Sequence, residues 1–140
     1  MVKITLDHSA MIMNHRHPII RELQKLEEEG KVRLYHADNL GRELASLSEG
    51  ETRIYDRLRE MVYGRPQGEL NLAEHGDLVL LVNHMKSGRD YFLTLQAGKY
   101  DSLAGHRNLK VRTPDKKFLK EIHERVNIPE QTKKKKTRKK

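Results

Sequence analysis

The chain has 140 residues, no cysteine and a formal net charge of +8. Its length suits one domain of ordinary size, and the lack of cysteine excludes disulfide bonds and thiolate metal sites. No apolar run approaches the roughly 20 residues of a membrane-spanning helix, and the first residues do not resemble a signal peptide, so we expect a cytoplasmic protein that does not enter a membrane.

Apolar spacing along the chain changes repeatedly between strand and helix patterns. In chain order, the first half predicts a strand over 2–6, a short helix capped by Ser9, a helix from Pro18 to Gly30, a strand over 31–36, a helix carrying Leu40, Leu44 and Leu47, and a helix from 51 to 64. The second half predicts a loop over 68–77, a buried helix from Asp77 to Gly88, strands over 91–95 and 109–113 with a loop between them, and a helix that begins at Pro114. Strands separated by helices predict an α/β fold, a three-layer α/β/α sandwich with a central, mostly parallel sheet.

Basic charge is concentrated at the C-terminus. The last eight residues hold seven Lys or Arg, and subtracting these seven from 28 basic residues leaves 21 against 20 acidic residues. Such a block repels itself and has no apolar face, so we expect a domain over 1–127 and a basic, disordered tail over 128–140. Either the tail only keeps the chain soluble, or it binds RNA phosphates by releasing counterions. The residues that would bind RNA are Lys133, Lys134, Lys135, Lys136, Arg138, Lys139 and Lys140.

Three acidic residues lie where predicted strands end or where a buried helix begins. Asp7 directly follows the first strand, Glu43 follows the second, and Asp77 opens the buried helix before the third. Binding sites in open parallel sheets form beyond the carboxyl ends of the strands, so these acids can share one edge. A Mg²⁺ or Mn²⁺ ion bound there would balance their charge and assist phosphodiester cleavage. The alternative is that Asp7 and Asp77 are helix caps and that Glu43 is an ordinary exposed residue.

The segments that carry these acids are ITLDHSAMI, LYHADNLGREL and HGDLVLLVNHMKSGRDYFLTL, and VRTPDKKFLKEI follows them. Together they resemble the motifs of PIN-domain nucleases over residues 2–124, and the small VapC-like members in particular. The resemblance implies an α/β/α fold and a Mg²⁺- or Mn²⁺-dependent endoribonuclease with Asp7, Glu43 and Asp77 as catalytic metal ligands. It also implies supporting roles for Ser9 and Thr94, frequent homodimers, and an antitoxin protein as partner of the toxin members.

The chain departs from the family pattern at one position. Family members usually carry Asp two residues after the Thr that corresponds to Thr94, whereas this chain has Gln96. Asp101 lies five residues further on and is a candidate to replace the missing acid. The alternative function is therefore a catalytically impaired PIN-like domain that acts as an RNA- or protein-binding module.

Other chemistries find less support in the sequence. The eight histidines include no HExxH pair, and no phosphate-binding glycine motif is present. A further alternative keeps the acids as helix caps on a generic flavodoxin-like scaffold. Among these readings, the sequence favours metal-dependent hydrolysis of RNA.

Overall fold

The computed structural model describes residues 1–106 and 109–139, with side chains described up to residue 127. Within these residues, a central sheet of four parallel strands has the order β2-β1-β3-β4. The strands are β1 (Val2–Leu6), β2 (Val32–Tyr35), β3 (Tyr91–Leu93) and β4 (Val111–Arg112). The predicted sheet is confirmed, although β3 and β4 are shorter than the sequence pattern suggested.

Five α-helices accompany the sheet within the described ranges: α1 (His8–Met11), α2 (Pro18–Glu28), α3 (Glu49–Val62), α4 (Leu72–Ser87) and α5 (Lys116–Lys139). Short 3-10 helices lie at Asn14–Arg16, Gln67–Glu69 and Ala97–Leu103. The start of α2 confirms the prediction, because Pro18 occupies its first turn. Gly30 follows the end of α2 with a φ of 76°, a left-handed conformation that glycine adopts without steric cost.

The sheet separates two apolar cores. Alternate strand residues face opposite sides, so that Ile4 and Leu6 belong to one core and Phe92 to the other. Side chains of α2 and α5 fill the first core with Ile20, Leu23, Phe118 and Ile122. Side chains of α3 and α4 fill the second with Tyr55, Leu58, Leu80 and Leu81. The predicted three-layer α/β/α sandwich is therefore confirmed.

The helix predicted over 40–47 is wrong. Residues 37–45 form successive turns and bends instead. The Asn39 side chain donates to the Leu34 carbonyl and accepts from the His36 amide, each at 2.9 Å. Because this side chain binds backbone groups at the strand end, it stabilises a turn in competition with a helix.

The start predicted for the buried helix is also wrong. Helix α4 begins at Leu72, within the segment predicted as a loop, and Asp77 lies inside the helix. Asn71 and Glu74 form a capping box, in which the side chain of each accepts a hydrogen bond from the backbone N–H of the other. Residues 97–103 form a 3-10 helix where the sequence suggested a loop with at most one helical turn.

The C-terminal helix continues past the predicted domain boundary. Helix α5 spans Lys116–Lys139, so no helix end marks the division expected after residue 127. Side chains after residue 127 lie outside the described part of the structure, so the RNA contacts predicted for this segment remain a prediction, as does its predicted disorder. Among the residues that the structure describes, no helix combines the length and the apolar character needed to cross a bilayer.

Candidate functional site

Asp7 lies directly after β1 and is fully buried. It is the N-cap of α1, the role predicted for Ser9. Its Oδ1 atom accepts hydrogen bonds from Ser9 Oγ at 2.7 Å and from the Ala10 amide at 3.1 Å. Its Oδ2 atom accepts from Thr94 Oγ1 at 2.6 Å and from the Tyr100 hydroxyl at 3.3 Å. These four donors fill the lone-pair positions of a carboxylate and explain how a charge is tolerated at the end of a buried strand.

Asp77 approaches the same place from α4, and its side chain is nearly buried. Its Oδ1 atom accepts a hydrogen bond from the His8 amide at 2.8 Å, directly beside Asp7 in the chain. Burial raises the pKa of Asp77, and the negative charge of Asp7 raises it further. The fold therefore brings together two of the three predicted acids, which lie 70 positions apart in the sequence.

A lysine that the sequence analysis did not single out lies beside Asp77 and offsets part of the negative charge of the acid pair. Lys99 Nζ lies 3.5 Å from Asp77 Oδ2. The ammonium group also lies 4.9 Å from the ring centroid of Tyr63 and 5.5 Å from that of Tyr100. Burial by itself lowers the pKa of Lys99, but Tyr63 and the two carboxylates outweigh this effect and the pKa is raised.

Tyr100 is the second residue that the sequence analysis missed. Burial raises the pKa of its hydroxyl far above the ordinary value, and the charge of Asp7 acts in the same direction. The hydroxyl therefore stays protonated and serves as a donor to Asp7. The only sequence signal for Lys99 and Tyr100 is their position shortly after the strand that ends at Thr94.

Hydroxyl groups connect the ends of β1 and β3. Ser9 Oγ lies 3.2 Å from Thr94 Oγ1 and accepts a hydrogen bond from the Leu95 amide at 3.0 Å. Thr94 Oγ1 accepts from the Gln96 amide at 3.0 Å while it donates to Asp7. Both hydroxyls thus orient Asp7, while the supporting roles in catalysis that the resemblance implies for Ser9 and Thr94 remain predictions.

A cleft of about 380 Å³ opens beside the acid pair. Its polar lining includes His8, Ser9, Glu74, Asp77, Gln96 and Lys99. Glu74 is already engaged, because its carboxylate binds the Asn71 amide and the Arg65 guanidinium, the latter at 2.6 Å. Asp77 is therefore the acidic residue of the cleft that remains available to a ligand. Gln96 is exposed at its edge, and Asp101 is exposed on the following 3-10 helix.

Glu43 is not brought to this cluster. It is exposed within the turns that follow β2, and its charge acts on the guanidinium of Arg89, whose carbon lies 4.1 Å from the Tyr35 ring centroid. Among the described residues, no three His, Asp or Glu side chains form a group that could hold a metal ion. The structure therefore supports a pair of acids and gives no support to the predicted cluster of three.

The strand order explains where the pair forms. Strand β1 has β2 on one side and β3 on the other, so the chain changes direction across the sheet between β1 and β3. Ligand sites in open parallel sheets lie at such switch points, beyond the carboxyl ends of the strands. Asp7 follows β1 and Thr94 follows β3, and the fold and site thus define an α/β protein with a buried acidic pair at its switch point. No family model, curated protein or solved structure matches the chain.

Proposed function

We propose that this protein is a PIN-like, divalent-metal-dependent endoribonuclease whose site is the Asp7–Asp77 pair. The observation that carries the proposal is the meeting of two buried carboxylates at the switch point of the sheet, beside an open cleft. Burial and the charge of Asp7 raise the pKa of Asp77, so its charged form is costly in the fold, and groups perturbed in this way cluster at functional sites. The sequence resemblance to PIN-domain nucleases includes the same two residues among the three acids that it implies as metal ligands.

The oxygen atoms available at the cleft are suitable ligands for one hydrated Mg²⁺ or Mn²⁺ ion. Such ions prefer oxygen ligands, and Mg²⁺ in particular keeps several waters and is often bound by one or two carboxylates together with substrate phosphate. Asp77 Oδ2 has a single contact, the long one to Lys99, and retains acceptor capacity. Asp7 already accepts four hydrogen bonds, so Asp77 would be the principal ligand. The side-chain carbonyl of Gln96 lies at the same cleft.

The surrounding residues would keep the acids in place during hydrolysis. Ser9, Thr94 and Tyr100 hold Asp7 in one orientation, and the His8 amide does the same for Asp77. A bound divalent ion would supply positive charge to the phosphodiester that is cleaved. Preorganised groups of this kind lower the barrier because they need no rearrangement as charge develops.

A second candidate function is binding of RNA without cleavage. Two observations favour it: Gln96 replaces the acid usual in the family, and Lys99 already neutralises Asp77. Both candidates use the same cleft, and they differ in whether a divalent ion binds there. The antitoxin partner, the homodimer and the cytoplasmic location belong to this proposal and follow from the resemblance and the sequence.

The first test measures Mn²⁺ binding by calorimetry and Mn²⁺-dependent cleavage of a labelled single-stranded RNA. We expect Asp77→Asn to abolish both. Metal-free stability should be retained or increased, because the raised pKa of Asp77 shows that its charged form is disfavoured in the fold. Glu43→Gln should behave like the wild type, since Glu43 lies away from the pair. An Asp77→Asn variant that cleaves RNA as well as the wild type would exclude the proposed site.

A gain-of-function variant separates the two candidates. In Gln96→Asp, a carboxylate replaces the neutral amide at the edge of the cleft, and we expect Mn²⁺ to bind roughly tenfold more tightly. Asp101→Asn tests whether Asp101 replaces the missing acid, in which case the cleavage rate of that variant falls. Wild-type protein that binds RNA but neither binds Mn²⁺ nor cleaves would establish the binding module instead.

A further inference from the structure

We propose that Lys99 is an internal counter-cation that must leave Asp77 before a divalent ion binds, so that the site is autoinhibited by its own lysine. This inference rests on the proposed function, because it concerns access of the ion to the same carboxylate. It goes beyond the proposed function because it requires Lys99 to move away from Asp77 when the ion binds. Without this role, Lys99 would only neutralise Asp77 in the folded protein.

The burial of the ion pair distinguishes it from the surface ion pairs of this chain. The side chains of Lys99 and Asp77 are only 20% and 7% exposed. In every other ion pair among the described residues, at least one partner is 38% exposed or more. Exposed pairs contribute little because water screens them, whereas a pair removed from water interacts more strongly. Lys99 is therefore positioned at Asp77 by the fold.

Three groups hold the ammonium in place. Tyr63 and Tyr100 present their rings to it at 4.9 and 5.5 Å, and Asp77 supplies the opposite charge at 3.5 Å. The backbone is fixed as well, because the Lys99 amide donates to the Gln96 carbonyl at 3.0 Å at the start of a 3-10 helix. An ammonium desolvated between aromatic faces and a carboxylate is a cation site that the protein fills with its own side chain.

A divalent ion and this ammonium compete for the same oxygen. Asp77 Oδ2 is the atom that contacts Lys99, and the other oxygen, Oδ1, is engaged by the His8 amide. Two cations on one carboxylate oxygen repel each other strongly in a site shielded from water. Binding of the ion therefore requires the lysine to turn outward into the open cleft. Lys99 keeps the metal-free acid pair stable and weakens metal affinity at the same time.

The test compares Mn²⁺ affinity of full-length wild type, Lys99→Met and Lys86→Met by calorimetry. Methionine keeps an unbranched apolar stem and removes the charge. Lys86 is an exposed residue of α4, paired with Glu51, and its replacement changes the net charge equally but away from the cleft. We expect Lys99→Met to bind Mn²⁺ at least tenfold more tightly than wild type, and Lys86→Met to match the wild type.

Metal-free thermal unfolding provides a readout that does not depend on activity. Lys99→Met leaves the two carboxylates uncompensated, so its melting temperature should fall below that of wild type at neutral pH and recover on addition of Mn²⁺. Lys99→Gln is a second variant in case methionine prevents folding, with the same expected direction. Lys99→Arg keeps the charge and should retain the weak affinity of wild type.

The outcomes separate this inference from the proposed function. Equal Mn²⁺ affinity in Lys99→Met and wild type overturns the role of Lys99, while loss of binding in Asp77→Asn would still support the metal site. Binding that appears only after Lys99 is neutralised supports the inference. If neither wild type nor any Lys99 variant binds Mn²⁺, both the inference and the metal-dependent function are overturned.

Discussion

At the scale of single residues, His84 is a titratable group whose pKa is changed by burial. Its ring is fully buried, with Nδ1 2.7 Å from Thr5 Oγ1 and its edge against Phe92. Its Nε2 atom has no hydrogen-bond partner among the described residues. Burial lowers the pKa of His84 to about 4, and the neighbouring Arg89 acts in the same direction. His84 is therefore neutral in the folded protein at neutral pH.

The lowered pKa predicts a specific loss of stability in acid. Above pH 6.5 the histidine is neutral in both states and its contribution is complete. As the pH falls from 6.5 to about 4, His84 binds a proton in the unfolded chain but not in the native state. The free energy of unfolding therefore decreases over this range. The full effect is on the order of 3 kcal/mol. Urea unfolding at several pH values should show a shallower decline for His84→Phe than for wild type, and parallel curves would contradict the assignment.

At the scale of elements, the capping of α4 decides where Asp77 is directed. The capping box of Asn71 and Glu74 starts the helix at Leu72 and places Asp77 in its second turn. If Asp77 were the N-cap of α4, its carboxylate would accept a hydrogen bond from a backbone amide of the first helical turn. Because Asp77 lies inside the helix, its carboxylate contacts the His8 amide and Lys99 instead. The cap thus sets the position of Asp77 within α4.

Removal of this cap should be measurable as a loss of stability. Asn71→Ala eliminates the side-chain acceptor for the Glu74 amide, and we expect the free energy of unfolding to fall by about 1 kcal/mol. Leu72→Ala is a matched control in the same turn, because Leu72 is 90% exposed. It should change stability by less than about 0.5 kcal/mol. Equal effects of the two substitutions in denaturant titrations would contradict the importance of the cap.

At the scale of the whole molecule, charge is distributed unevenly between the domain and its C-terminus. Seven of the last eight residues are basic, whereas the remainder is almost neutral. The proposed site holds two acids and one lysine, and so has no excess of positive charge to attract RNA. We expect the basic segment to supply most of the affinity for the RNA backbone by releasing counterions.

Replacing the seven basic residues after 132 with glutamine tests this expectation without shortening the chain. RNA affinity is measured against salt concentration in the presence of a chelator, so that no cleavage occurs. For single-stranded RNA, each lost phosphate contact should flatten the slope of log affinity against log salt by about 0.7. The melting temperature of the domain should remain unchanged. A salt slope equal to that of wild type would show that the segment does not contact RNA.

Local patterns in the sequence predicted the layers and most elements of this fold. The strand at 2–6, the helix from Pro18 and the α/β/α order follow from apolar periodicity and from proline and glycine, which act over a few residues. The capping box before α4 is also visible in the sequence from Asn71 to Glu74, within the segment predicted as a loop. The helix predicted over 40–47 failed because apolar spacing does not reveal how the Asn39 side chain binds the backbone.

The sequence by itself determined the parallel sheet with helices on both faces and the candidacy of Asp7 and Asp77, because each depends on a local pattern. Only the tertiary structure decided which acids meet. It joined Asp7 to Asp77, left Glu43 near Arg89, and brought Lys99 to the pair. The physical reason is that these contacts depend on strand order and helix packing, which place residues dozens of positions apart within hydrogen-bonding distance.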